Sequence, residues 1–139
     1  MNLKIRDGWL EGPEVRHQRS PNKSGGFAEG LADTLVMHFT AGRSVDSSAN
    51  WLCDPAASAS THLIIGRKGE IVQLVPFNTI AWHAGKSEWA GRSGLNRYAI
   101  GIELDNAGDL KRNGENYVTW YGEVKPPTEV PLVPHPRNI

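Results

Sequence analysis

A chain of 139 residues is long enough for one domain with a hydrophobic core of its own. Its 15 basic and 15 acidic residues cancel, which excludes the long-range positive field that steers proteins to nucleic acid or anionic membranes. The single cysteine, Cys53, excludes an intrachain disulfide, and no apolar run is long enough to span a bilayer. Because the N-terminus carries no apolar leader, the sequence predicts a protein that is cytoplasmic as synthesised.

The first third of the chain predicts little regular structure before one strong strand. Residues 1–33 are rich in glycine, proline, serine and charge, which indicates an irregular approach with at most one short strand. Residues 34–39 are densely apolar and predict a strand at the centre of a sheet, covered on both faces. Strand alternation places His38 on one face with Val36, and Met37 on the other.

A helix and a hairpin are expected next. Ser44 is a suitable N-cap for a short helix over residues 45–53, which the following Asp-Pro pair stops. Residues 61–65 and 71–75 both resemble strands. The stretch 67–70 between them supplies the glycine that a tight turn requires, so the sequence predicts a hairpin.

The rest of the chain alternates between a loop, a strand and a tail. Residues 77–96 lack periodicity and predict a shaped surface loop with room for one helical turn. Residues 98–104 predict a second buried strand, with Glu103 on the same side as its two smallest residues. Residues 117–121 suit an edge strand, and the proline-rich stretch 123–139 predicts an extended tail.

Glu103 is the sharpest catalytic candidate. Ala99 and Gly101 leave an open space on its face of the strand, where a substrate or water could fit. A partly desolvated carboxylate has a raised pKa and suits a general base. The equal alternative is a structural ion pair with Arg97 or Arg92.

Three histidines and two tryptophans are further candidates for metal or substrate binding. Each of them could instead have a purely structural role. His38 ends an apolar strand and could be a satisfied core residue, since no HExxH or similar spacing links it to another histidine. A structural role is favoured for His62, which lies inside the hairpin strand, whereas His83 is equally suited to binding. Trp82 and Trp89 could stack on a sugar or belong to the core.

Several segments together resemble a known family, the zinc-dependent N-acetylmuramoyl-L-alanine amidases. This type includes amidase-type phage lysozymes, bacterial recycling amidases and peptidoglycan-recognition proteins. The matching segments are in order and cover roughly two-thirds of the chain: residues 20–22, 35–41, 60–65, 69–76, 81–87, Asn96 and 100–104. The pair Trp-His-Ala-Gly at 82–85 and Ile-Gly-Ile-Glu at 100–103 is the most specific part.

The resemblance implies an α/β fold, a mixed central β-sheet flanked by helices, with a zinc ion in a groove along one face. By this resemblance His38 matches the first zinc ligand of the family. Glu103 aligns with the carboxylate that activates the zinc-bound water in recycling-type members. Phage-type members use a tyrosine where this chain has Thr61, so the glutamate version is implied here.

The same resemblance implies residues for substrate binding. Four positions match residues that line the groove near the sugar and the stem peptide: Trp82, His83, Ala84 and Asn96. His62 is a further candidate for the same role. The implied substrate is peptidoglycan or a muropeptide, and the implied source of the protein is a bacterium or a phage.

The chain also departs from the family pattern. Family members continue into a long helix, a second histidine ligand and a Lys-Xaa-Asp-Pro-Gly or cysteine-bearing segment, whereas this sequence ends at Ile139. His135 does not match the second ligand, so the remaining zinc ligands are not identifiable in the chain. Residues 1–139 are therefore interpreted as a single incomplete amidase domain that lacks the C-terminal helix.

Three functional hypotheses follow. The first is an amidase that hydrolyses the bond between the lactyl group of N-acetylmuramic acid and L-alanine with zinc-activated water. The second is a non-catalytic module that binds peptidoglycan or muropeptide. The third is an assembly subunit whose bare sheet face is covered in a homo-oligomer or by a partner chain.

Overall fold

The computed structural model describes residues 2–130, which contain fourteen short strands, one α-helix and three turns of 3-10 helix. The strands are β1 (Lys4–Arg6), β2 (Trp9–Glu11), β3 (Val15–His17), β4 (Lys23–Gly26), β5 (Thr34–Phe39), β6 (Leu63–Ile65), β7 (Ile71–Gln73), β8 (Thr79–Ala81), β9 (Glu88–Trp89), β10 (Arg92–Ser93), β11 (Ala99–Leu104), β12 (Lys111–Asn113), β13 (Asn116–Val118) and β14 (Val124–Lys125). The helix α1 spans Val45–Leu52, and the 3-10 turns span Pro55–Ala57, Leu95–Arg97 and Pro127–Glu129.

A mixed five-stranded sheet forms the centre of the fold, with the strand order β3-β7-β6-β11-β5. Strand β11 runs parallel to both of its neighbours, β5 and β6, and β3 runs parallel to β7. Only the β6–β7 hairpin is antiparallel within this sheet. The predicted α/β fold with a mixed central sheet is therefore confirmed.

Helix α1 packs on one face of this sheet. Its N-terminus has the capping box that the sequence predicted in part: Ser44 accepts a hydrogen bond from the Ser47 backbone, and the Ser47 side chain accepts one in return. Val45 and Ala49 then pack against Ile64 and other apolar residues of β6 and β7. The helix ends at Leu52, one residue before the predicted boundary.

The opposite face is covered only in part. At the β6–β7 end, Leu63 and Ile71 pack under Leu10 from the β1–β2 hairpin. At the β5 end, Met37 and Phe39 are more than half exposed. The prediction that residues 34–39 lie at a sheet centre covered on both faces is thus wrong, because β5 is the last strand of the sheet. The apolar composition of a strand does not report how many neighbours it has.

Short strands account for most of the remaining differences from the sequence predictions. The expectation of at most one strand in residues 1–33 is wrong, because this stretch contains β1 to β4. The Asp7-Gly8 pair, with φ of 51° and 80°, makes the hairpin turn between β1 and β2, and such a pair is a recognised hairpin signal. The predicted loop 77–96 also contains β8, β9 and β10.

The end of the described chain differs from the predicted tail as well. Strands β12, β13 and β14 form a separate antiparallel sheet, in which β13 takes the place of the predicted edge strand. Because β14 and a 3-10 turn occupy part of residues 123–130, that part is not simply extended. The rest of the predicted tail, with His135, lies outside the described residues. Within residues 2–130, no helix has both the length and the apolar content to cross a membrane.

Candidate active site

His38 and Glu103 lie side by side on the face of the sheet that α1 covers. They occupy directly paired positions of the parallel strands β5 and β11. Paired residues of parallel strands point to the same side of a sheet. Ile64 of β6 continues the same row and belongs to the core beneath α1. The imidazole and the carboxylate therefore share one face of the sheet.

Glu103 has the properties of a desolvated carboxylate. Its Oε2 atom is buried and has no hydrogen-bond partner among residues 2–130. Burial raises the pKa of this carboxyl above its usual range. The two arginines considered as structural partners are engaged elsewhere: Arg92 binds Asp33 at 2.7 Å, and Arg97 donates to the Ser93 carbonyl at 2.9 Å.

His83 connects the loop after β8 to both strands. Its Nε2 lies 3.1 Å from the Ala99 carbonyl oxygen, which can only accept, so Nε2 carries the proton and donates it. Its Nδ1 is then an acceptor, and it lies 3.0 Å from Nε2 of His38. The hydrogen-bond partners therefore assign the proton of His38 to Nε2 and leave its Nδ1 with a free lone pair.

Their partly buried positions favour the neutral form of both imidazoles. Burial lowers the pKa of His38 and of His83, and the neighbouring imidazole lowers that of His83 further. A neutral His38 with an unprotonated Nδ1 is the form of histidine that binds a metal ion or accepts a proton.

Gly101 allows His83 to reach this position. A Cβ at Gly101 would lie closer to the His83 ring than two carbon atoms can approach. The open space that the sequence predicted beside Glu103 is therefore occupied at Gly101 by the His83 ring. That part of the prediction is wrong, because the small residue accommodates a protein side chain and not a ligand.

His62 is fully buried and bonded at both ring nitrogens. Its Nε2 donates to the Thr79 carbonyl at 2.8 Å, and its Nδ1 accepts from the Gly101 backbone N–H at 3.0 Å. Burial is the main reason that the pKa of His62 falls to about 4. These contacts join β6, β8 and β11, which fits the structural role that the sequence favoured over substrate binding.

Asn96 holds the loop that carries the other binding candidates. Its Oδ1 accepts from the backbone N–H groups of His83 at 3.0 Å and Ala84 at 2.7 Å. Trp82 is half-buried, and its Nε1–H donates to the Ser24 hydroxyl at 2.8 Å. The structure thus brings Asn96, Ala84 and His83 together, whereas the indole N–H of Trp82 is directed to the strand β4.

A cavity of about 640 Å³ opens beside Glu103, between the loop after β5, α1 and the segment between β13 and β14. Its lining includes three residues that the sequence reasoning did not single out: Arg43, Trp51 and Trp120. No spacing rule links these positions, which are far apart in the chain, so only the folded arrangement reveals them.

The described residues do not complete a zinc site. A catalytic zinc ion takes three protein ligands and leaves a fourth position for water or substrate. His38 offers Nδ1, and the unpaired Oε2 of Glu103 is on the adjacent strand. Residues 2–130 nevertheless contain no group of three or more histidine, cysteine, aspartate or glutamate side chains that could hold a metal.

A desolvated carboxylate beside a neutral imidazole on a mixed sheet, with the carboxylate lining a cavity, is an arrangement suited to acid–base hydrolysis. The chain belongs to the N-acetylmuramoyl-L-alanine amidase family, which residues 29–130 match. The family carries the name of its reaction, hydrolysis of the amide between N-acetylmuramic acid and L-alanine.

Individual relatives agree with this assignment. The chain is 33% identical to the 1,6-anhydro-N-acetylmuramyl-L-alanine amidase AmpD of Escherichia coli K12 over 132 residues, which covers 83% of this chain and 71% of AmpD. A crystal structure of AmpD superimposes with a TM-score of 0.60 and 32% identity, covering 74% of this chain and 66% of that one.

A second solved structure contains a ligand. The amidase AmiD of Escherichia coli, in complex with anhydro-N-acetylmuramic acid-L-Ala-D-γ-Glu-L-Lys, superimposes with a TM-score of 0.53 and 31% identity. This match covers 84% of the present chain and 44% of AmiD. The chain therefore spans about two-thirds of the length of AmpD and less than half of AmiD.

Proposed function

We propose that this protein hydrolyses the amide between the lactyl group of N-acetylmuramic acid and L-alanine, with Glu103 as the general base. The observation that carries the proposal is the pairing of Glu103 with His38 on adjacent parallel strands, together with the unpaired, buried Oε2 of Glu103. Membership of the amidase family supports the choice of bond.

The proton transfers can be assigned to Glu103. Its carboxylate takes a proton from the attacking water as the oxygen bonds to the scissile carbonyl carbon. The protonated carboxyl then gives that proton to the nitrogen of L-alanine as the C–N bond breaks. The products are the free lactyl carboxylate and a peptide with a free amine. Burial raises the pKa of Glu103, so this carboxyl can both take up and release a proton more readily near neutral pH. General acid–base catalysis of this kind accelerates a reaction by about 10²–10⁴-fold.

One residue of the chain is suited to bind the zinc ion that this family uses. The resemblance to zinc-dependent amidases makes zinc the expected metal, and His38 Nδ1 is the described atom best suited to bind it. Residues 2–130 do not supply the remaining ligands of such a site.

The substrate we propose is a muropeptide. The ligand in the AmiD complex consists of a muramic acid sugar and a stem peptide. In the present chain the loop fixed by Asn96, with Trp82, His83 and Ala84, would form one wall for such a ligand, and His62 would position that wall through β8. Cytoplasmic synthesis and a bacterial or phage origin stay predictions.

A direct assay tests the proposed reaction. The full chain is incubated with N-acetylmuramoyl-L-alanyl-D-isoglutamine, with and without added zinc, and the products are identified by mass spectrometry. The matched control substrate contains D-alanine in place of L-alanine. We expect N-acetylmuramic acid and the free dipeptide from the L-alanine substrate. Absence of both products under both conditions would contradict the proposal.

The incomplete donor set favours a second candidate, a non-catalytic muropeptide-binding module. Metal analysis of the purified chain separates the two. Stoichiometric zinc that is lost in His38→Ala supports the enzyme, and a metal-free chain that binds muropeptide without cleaving it supports the module.

The exposed apolar residues of β5 favour a third candidate, a subunit that pairs with a second copy through this face. Sedimentation velocity over a range of concentrations tests it. A dimer that dissociates in Met37→Lys supports the assembly, whereas a monomer at every concentration removes it.

A further inference from the structure

We infer that the cavity beside Glu103 is a subsite for a carboxylate of the substrate's stem peptide, and that Arg43 binds this carboxylate. The inference rests on the proposed function, because it names a part of the substrate that the same site would take. It also assigns a role to residues outside the segments that carry the family resemblance.

The cavity joins the candidate base to the loop after β5. Glu103 lies in its lining, and so do Thr40, Ala41, Gly42 and Arg43. A volume of about 640 Å³ is in the range of pockets that enclose small ligands. A substrate whose scissile amide lies at Glu103 can therefore extend the second residue of its stem peptide into this space.

Two tryptophans line the cavity without being part of a core. Trp51 of α1 is 60% exposed and Trp120 is 67% exposed, although both are large apolar side chains. Trp120 is also fixed in place, because its Nε1–H donates to the Ala41 carbonyl at 2.8 Å. Exposed aromatic side chains beside a cavity, such as these two, are typical of ligand-binding surfaces.

Arg43 provides a positive charge at this cavity that no carboxylate of residues 2–130 neutralises. Its guanidinium lies over the Tyr121 ring, 5.3 Å from the ring centre, so the aromatic side chain orients the charge. Arg67, by contrast, is bound to Asp105 at 2.9 Å and serves the structure.

The Arg67–Asp105 pair also orders the loop that carries Arg43. Asp105 accepts from the Thr40 hydroxyl at 3.2 Å, and Arg67 reaches the Gly42 carbonyl at 3.4 Å. These contacts fix the backbone on the N-terminal side of Arg43. A cation that is positioned in advance loses less conformational entropy when it binds an anion.

The chemistry of a stem peptide matches this arrangement. In a chain of the type L-Ala-D-γ-Glu, the glutamate is linked through its side chain, so its α-carboxylate is free. This carboxylate lies one residue beyond the amide that Glu103 would attack. Arginine binds carboxylates with two parallel charge-assisted hydrogen bonds, and Arg43 is the cationic side chain in the lining of this cavity.

The test compares two substrates that differ only in this group. The full chain is assayed with N-acetylmuramoyl-L-alanyl-D-isoglutamate, which has the free α-carboxylate, and with the D-isoglutamine analogue, in which it is an amide. We expect wild type to prefer the acid in kcat/KM by about tenfold. Arg43→Gln is expected to remove this preference by raising KM for the acid, with kcat unchanged.

Arg112→Gln is the matched control, because Arg112 is an exposed arginine of β12 that is absent from the cavity lining. It should leave the preference unchanged. Equal preference in wild type and Arg43→Gln would overturn the subsite while leaving the amidase proposal intact. If neither substrate is cleaved, calorimetric affinities for the same two compounds decide: a preference for the acid that Arg43→Gln removes supports the subsite, and equal affinities overturn it.

Discussion

His38 donates its Nε2–H to Nδ1 of His83 across 3.0 Å, so the second imidazole determines which nitrogen of the first carries the proton. The bond can run only in this direction. His83 donates its Nε2–H to the Ala99 carbonyl, so its Nδ1 can only accept. His83 is therefore a positioning residue for His38, although the sequence presented it as a candidate for substrate binding. A partner that fixes the orientation and tautomer of a functional histidine is a common arrangement in hydrolases.

Replacing His83 by phenylalanine should allow His38 to adopt both of its neutral tautomers. In wild type, nitrogen-15 NMR is expected to show His38 protonated at Nε2 alone. In His83→Phe the acceptor is lost, and a mixture of the two tautomers is expected, with turnover reduced about tenfold or more. His17→Phe serves as the control, since His17 is exposed and bonds to the Leu10 carbonyl. An unchanged Nε2–H signal of His38 in His83→Phe would show that His83 does not position it.

Gly101 should be far less tolerant of a side chain than another strand glycine. Its Cβ would overlap the His83 ring, so Gly101→Ala is expected to lower the free energy of unfolding by about 1–3 kcal/mol. Gly25 of β4 is the matched control, because a Cβ there meets no atom within 4 Å and its backbone is not in the left-handed region. Urea unfolding of both variants measures the difference. Equal stability of the two would contradict the close packing of His83 on β11.

His62 should make the stability of the protein depend on pH. Burial lowers the pKa of His62 to about 4, from an unfolded value of roughly 6.5. A depressed histidine pKa means that the neutral ring contributes stability above pH 6.5 that is lost as the pH falls towards 4. The difference of the two values corresponds to about 3 kcal/mol.

The measurement is the free energy of unfolding between pH 7 and pH 4.5. We expect wild type to lose stability over this interval and His62→Gln to lose markedly less, because glutamine keeps a donor and an acceptor but does not titrate. His17→Gln should behave as wild type. Parallel pH profiles for wild type and His62→Gln would rule out His62 as the origin.

The sequence predicted the elements that carry the site better than their surroundings. The strand of His38 was predicted with its observed bounds and the strand of Glu103 to within one residue, since dense β-branched and apolar residues define long strands well. Their alternation also grouped each side chain correctly within its own strand, His38 with Val36 and Glu103 with Gly101. The position of β5 at the edge could not be predicted, because hydrophobicity reports burial potential and not the number of neighbouring strands.

The sequence identified several residues of the site but not the contacts between them. The sequence identified His83 and Gly101 separately but could not show that the glycine makes room for the imidazole, since this contact joins a loop to a strand. Arg43, Trp51 and Trp120 were missed for the same reason: three different elements bring them to one cavity. Short strands such as β1 and β2 escaped because three residues carry too little periodicity, although the Asp7-Gly8 turn between them was a usable signal.

The most direct test of the central claim is the kcat/KM of Glu103→Gln for a muramoyl dipeptide, measured beside Glu115→Gln. Glu115 is an exposed glutamate in the turn between β12 and β13 and is the matched control. Burial raises the pKa of Glu103, so its ionised form destabilises the fold increasingly as the pH rises above about 4.5. Glu103→Gln should therefore be at least as stable as wild type at pH 7, while its kcat/KM falls by about 10²–10⁴-fold and that of Glu115→Gln does not change. Wild-type kcat/KM in a folded Glu103→Gln variant would contradict the assignment of Glu103 as the base.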